Sequence, residues 1–83
     1  MIKSPESHQA NQILNLIEKY SDFKISIKKV NKMISKNSLV YVIDGHIIGF
    51  IYKSSKGNVK INIQSNQYPD LNIASELYLA MQD

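Results

Sequence analysis

The chain contains neither cysteine nor arginine. Without cysteine there can be no disulfide, no thiolate metal site and no sulfur nucleophile, so packing alone must hold the domain together. Without arginine the chain lacks the planar fork that grips phosphate and guanine at two points. Long apolar runs are missing too. The longest are Leu39–Ile43 and Ile47–Tyr52, the second interrupted by Gly49, and both are far too short to span a bilayer. Met1–Ser7 does not follow the basic-then-apolar layout of a signal peptide. There is no internal repeat, linker or low-complexity segment. The expectation is a cytoplasmic protein with no membrane contact and a single domain covering residues 1–83.

What is present is small and basic. A chain of 83 residues buries only about 60–65% of its unfolded surface, which leaves room for one core and little for a deep substrate cavity. All ten cationic side chains are lysines and the net charge is +3, with five of the ten lying between Lys24 and Lys36. Such a cluster fits either a solvated helix face or a nucleic-acid contact through Lys28, Lys29, Lys32 and Lys36. Frequent Ile, Lys, Asn and Ser also suit an AT-rich coding source such as a bacterium or its phage.

Ser4-Pro5-Glu6 reads as a helix start, and Ala10, Ile13, Leu14 and Ile17 then share one helical face. Ser21-Asp22-Phe23 interrupts the pattern. Ser26 can cap a second helix with Ile27, Val30, Met33 and Ile34 as its apolar stripe, although Ile25 and Ile27 could instead alternate in a short strand. Leu39–Ile43 and Ile47–Tyr52 read as strands of a hairpin turning at Asp44-Gly45. Both runs are apolar on both faces, which calls for cover on both sides. A further turn at Ser54–Gly57 leads to a third strand. There Val59, Ile61 and Ile63 should face the core, with Lys60, Asn62 and Gln64 opposite. Asp70 or Asn72 can cap a last helix whose inner face is Ile73, Ala74, Leu77, Tyr78 and Met81.

Reactive chemistry is sparse. His8 and His46 have no partner ligand at zinc spacing, so no metal site is expected. His46 could act as a general base, but a solvated turn histidine is the simpler reading. The seven acids form no close pair, and the ten serines include no Gly-x-Ser-x-Gly elbow. No catalytic residue is therefore nominated. Tyr41, Tyr52, Tyr68 and Tyr78 could stack bases beside the lysines, or pack at a core edge or protein contact.

The order of elements resembles the front half of a GNAT-type N-acetyltransferase. Ile2–Pro5 is similar to that family's first strand and Val42–Phe50 to its hairpin, with a glycine after two aliphatics. Tyr68-Pro69-Asp70-Leu71-Asn72-Ile73-Ala74-Ser75-Glu76-Leu77 is similar to its phosphate loop and the helix that follows. The resemblance implies acetyl-CoA held by backbone N–H groups at this helix start, with Asn72 and Ala74 at the cofactor positions. The loop departs from the family pattern of Gln/Arg-x-x-Gly-x-Gly/Ala. Pro69 replaces the leading Gln/Arg and removes a donor. Asn72 replaces a glycine, and Asp70 adds a charge that repels phosphate. The family's later strands and its tyrosine acid have no counterpart.

These readings converge on an α+β domain, a three- to four-stranded, mainly antiparallel sheet with about three packed helices. It resembles a truncated, degenerate acetyltransferase half. The expected role is a non-catalytic module that docks on a protein partner, or homodimerises, through an exposed strand edge at Asn58, Lys60, Asn62 and Gln64. An inhibitor or accessory factor of a mobile element suits this size. No cofactor is expected. The alternatives are an acetyl-CoA-binding or acetyltransferase protein whose cleft a second chain completes, and nucleic-acid binding.

Overall fold

Asp44 and Gly45 adopt φ angles of 51° and 79°, the left-handed pair that a type I′ turn requires. Around this turn the strands β2 (Asn37–Ile43) and β3 (His46–Lys53) fold back on each other in a computed structural model that describes residues 1–82. Asp83, the end of the domain expected from the sequence, lies outside the described residues. A short strand, β1 (Ile2–Lys3), pairs with β2, and β4 (Val59–Gln64) pairs with β3. The sheet order is β1-β2-β3-β4 and every pairing is antiparallel.

Helix α1 (Ala10–Tyr20) and helix α2 (Ile27–Ile34) cover one face of the sheet, and α3 (Ile73–Met81) covers the other. Two cores result. Ile13, Ile17, Val30 and Met33 pack on Val40, Phe50, Ile61 and Ile63. On the opposite face Ile73 and Leu77 pack on Ile48 and Ile51. Strands that are apolar on both faces are thereby covered twice, as expected. The chain's α+β class and antiparallel sheet match the sequence reading.

Local chemistry sets the helix ends. The first helix does not start at Ser4-Pro5. A 3-10 turn (Ser7–Gln9) precedes it, closed where the Glu6 N–H donates to Gln9 Oε1 at 2.8 Å and the Gln9 N–H donates to the Glu6 carbonyl at 2.9 Å. The start shifts because the Gln9 side chain, itself buried, reaches back to satisfy an orphan N–H. Leu16, not Leu14, completes the buried stripe of α1, and Leu14 packs against it only half-buried. Ser21 ends α1, its hydroxyl donating to the Ile17 carbonyl at 2.7 Å. Ser26 caps α2 by accepting from the Lys29 N–H at 3.2 Å, so residues 25–27 lead into a helix and form no strand.

Gly49 positions α3. A β-bulge in β3, whose extra residue Ile48 lies opposite the Tyr41–Val42 step of β2, places both Ile48 and Gly49 toward that helix. A Cβ at Gly49 would lie 2.5 Å from Ile73 Cγ2 and 3.1 Å from Leu77 Cδ1. The absent side chain lets the helix sit close against the strand.

Candidate functional site

The outer border of β4 is the candidate site, and its geometry follows from register. Ser65 N–H donates to the Ile48 carbonyl at 2.8 Å, and Phe50 pairs with Ile63 and Tyr52 with Ile61. Alternation in an antiparallel ladder then turns the backbone groups of Ile61 and Ile63 toward β3 and those of Asn62 and Gln64 outward. No other strand among the described residues pairs on that side.

The structure narrows the edge read from sequence. Asn58 is drawn into the turn: its N–H donates to Ser54 Oγ at 3.3 Å and its carbonyl accepts from the Ser54 N–H at 2.8 Å. Tyr52 pairs with Ile61 but Lys53 pairs with Val59, so Lys60 is the extra residue of a second bulge. The bulge also flips Val59, which packs with the α3 core while Ile61 and Ile63 pack with α1 and α2. The expected alternation therefore fails at Val59 and Lys60, because one inserted residue inverts the pleat beyond it. The regular row open to another chain consists of Asn62 and Gln64.

Those two side chains do not reach outward. Asn62 Nδ2 donates to the Ala74 carbonyl at 3.0 Å, and Gln64 Oε1 accepts from the Ala74 N–H at 2.9 Å. Two amides on one strand thus clamp both backbone groups of a residue in the first turn of α3. Asn72 occupies the cap position, yet its side chain makes no capping bond, so Gln64 supplies the acceptor that Asp70 or Asn72 was expected to supply. The clamp was not legible in sequence, since Gln64 and Ala74 are ten residues apart and meet only when α3 docks. Tyr78 and Leu79, 45% and 65% exposed, border the same strand, sharing a shallow cleft with Asn62. Tyr78 was expected inside. The docked helix turns it toward solvent.

The other nominated groups lie apart. Lys28, Lys29, Lys32 and Lys36 are all exposed on or just beyond α2. Lys29 lines a cleft of about 580 Å³ with Lys24 and Lys60, floored by Met33, Tyr52 and Ile61. His46 is exposed on the rim of a separate open cleft with Lys19, Tyr20 and Ser65. There the Ser65 hydroxyl donates to Tyr20 Oη at 3.2 Å. This bond holds the phenol below its ordinary range, burial opposing the shift and the Lys19 cation assisting it. His8 Nε2 lies 3.5 Å from the Glu6 carboxylate, and no lysine forms a salt bridge among the described residues. No group of three or more His, Asp or Glu there could hold a metal ion, and no helix among them is long and apolar enough to cross a membrane.

No known family model matches the chain, and no curated protein matches it in sequence. Solved structures do. All of this chain superposes on 69% of a ribosomal-protein-alanine N-acetyltransferase from Brucella melitensis biovar Abortus 2308, with a TM-score of 0.74 and 15% identity. The fold is that of the GNAT-type acetyltransferases. An aminoglycoside acetyltransferase from an uncultured soil metagenomic sample is also similar. Its complex with trehalose gives a TM-score of 0.66 at 15% identity, and its complex with sisomicin gives 0.64 at 14%. In both, 99% of this chain covers 66% of the enzyme. The chain thus spans about two thirds of these acetyltransferases, and at such identities the likeness is one of fold.

The GNAT-like loop before α3 fits a pyrophosphate poorly. The Ala74 N–H, a donor such a group would use, is already bonded to Gln64. Pro69 has no N–H to offer, and the exposed Asp70 carboxylate stands in the same loop.

Proposed function

We propose that this chain is a non-catalytic interaction module of the acetyltransferase fold, which binds a protein partner or a second copy through the outer border of β4. The observation that carries the reading is the outward row of N–H and C=O groups at Asn62 and Gln64. A strand border left in this state is a template for another chain. Two further features support it. The side chains of these residues are pulled onto α3, which leaves the backbone row unobstructed, and the exposed Tyr78 and Leu79 offer apolar surface beside it. The filled start of α3 supports a role without acetyl-CoA.

Affinity capture with the intact chain tests the reading. Asn62→Pro removes an outward donor and should abolish capture, whereas Asn62→Ala keeps the donor and should retain it. Equal capture by both variants would overturn the proposal.

The acetyltransferase neighbours favour a second reading, in which another chain completes a cofactor cleft. Calorimetry with acetyl-CoA separates the two: no saturable heat is expected, and micromolar binding would reverse their order. Nucleic-acid binding through Lys28, Lys29, Lys32 and Lys36 ranks third. Replacing Lys28, Lys32 and Lys36, which lie outside the cleft beside β4, by Gln should leave the protein folded and its capture unchanged. A gel-shift complex whose affinity falls steeply with salt would promote this reading instead.

A further inference from the structure

The two faces flanking the free row on β4 differ in chemistry. On the α3 side lie Tyr78 and Leu79, both exposed. On the α2 side lies the cleft that Lys24, Lys29 and Lys60 rim, with Met33, Tyr52 and Ile61 beneath them. No carboxylate lines that cleft, and none of the three lysines belongs to an ion pair among the described residues. A strand added to β4 would send successive side chains alternately to these two faces. We infer that the occupant of this border is an extended segment of another protein in which acidic residues alternate with apolar ones. Its carboxylates would face Lys24, Lys29 and Lys60, and its apolar side chains would face Tyr78 and Leu79.

This inference rests on the proposed docking role of β4 and adds the chemistry of the partner. A second copy fits the surface less well. Pairing β4 with itself brings up Val-Lys-Ile-Asn-Ile-Gln, which has no acid and one more lysine, so the three cations would stay unneutralised. An acidic strand neutralises them. Because these lysines are exposed at the rim, they act mainly on encounter rate and choice of partner, and their effect is screened by salt.

The test uses the intact protein and three fluorescent octapeptides that alternate Val with Glu, Lys or Ser, read by anisotropy at low and high salt. The Glu peptide is expected to bind on the order of tenfold tighter than the Lys peptide at low salt, the gap narrowing at high salt. Lys24→Gln, Lys29→Gln and Lys60→Gln should each weaken the Glu peptide by about two- to fivefold and leave the Ser peptide unchanged. In backbone NMR spectra the Asn62 and Gln64 amides should shift on binding. If all three peptides bind equally, or the Glu preference survives in the triple lysine variant, the inference is overturned while the docking role stands. Self-association through β4 with no preference among the peptides has the same consequence. If no peptide binds and those amides do not move, the docking role falls with it.

Discussion

The two borders of the sheet are built differently. At one border β1 contributes two residues, and the Met1 ammonium and carbonyl bond to the Val42 carbonyl and N–H at 2.9 and 2.8 Å. That pairing exhausts its length almost at once. At the other border β4 runs for six residues, is bulged at Lys60, and holds a regular ladder from Ile61 to Ser65. Short strands, bulges and lysines are the usual means of blunting a border. β1 is blunted by brevity. On β4 the bulge and the lysine protect only the leading end, so Asn62 and Gln64 have no strand beside them among the described residues. Among the described residues one border is thus shielded along its length and the other only at its leading end.

Breaking the support beneath β4 should have the largest effect. Leu77→Ala removes a fully buried anchor of α3 and should cost about 2–5 kcal/mol, a large part of the roughly 5–15 kcal/mol available to a small domain. Urea unfolding would measure it. Amide protection should fall at Ile61 and Ile63 more than at the β1 pairing, because α3 holds β4 through Asn62 and Gln64.

Proline placement on the two borders sharpens the contrast. Asn62→Pro should weaken partner binding by tenfold or more, on the scale of losing a central contact, whereas Ile2→Pro on β1 should leave binding unchanged while lowering the melting temperature. Asn62→Ala is the control. It loses one hydrogen bond to Ala74, worth about 1 kcal/mol, and part of that loss is offset because Asn62 Oδ1 is buried without a partner.

Gln64→Ala tests the clamp alone. Removing the acceptor from the first turn of α3 should cost about 0.5–2 kcal/mol, the usual range for a lost helix cap. Helicity from α3 should fray first, and β1 should not respond.

The smallest effect concerns Tyr41, which pairs with Ile2 of β1. Desolvation, then the Glu76 carboxylate, pushes its phenol above the ordinary range. A raised folded value means that the neutral phenol is favoured in the native state. The stability this contributes is present below the unfolded value of about 10 and is lost as pH rises through the folded value. Ultraviolet titration should show one late-ionising tyrosine that disappears in Tyr41→Phe.

Much of the fold was legible because short-range chemistry decides it. Asp44-Gly45 specifies its own turn, Ser26 specifies a helix start, and doubly apolar strands demand two covering layers. The candidate site was legible only in outline. Alternation from Val59 to Gln64 marks a strand with one distinct face, but nothing local reveals the bulge at Lys60, which depends on register against β3. Nor does the sequence show that Asn62 and Gln64 grip Ala74, a contact made only in the packed structure. Of the polar stripe read as a contact surface, Asn62 and Gln64 fasten α3, and it is their outward backbone groups that no strand pairs among the described residues.

Residue-resolved amide hydrogen exchange on the dilute, unliganded protein tests the central claim most directly. Asn62 and Gln64 should exchange rapidly while Ile61, Ile63 and Ser65, bonded to β3, remain protected, a two-residue alternation along a single strand. Equal protection along the whole of β4 would mean that both of its sides are already paired, and would contradict the account.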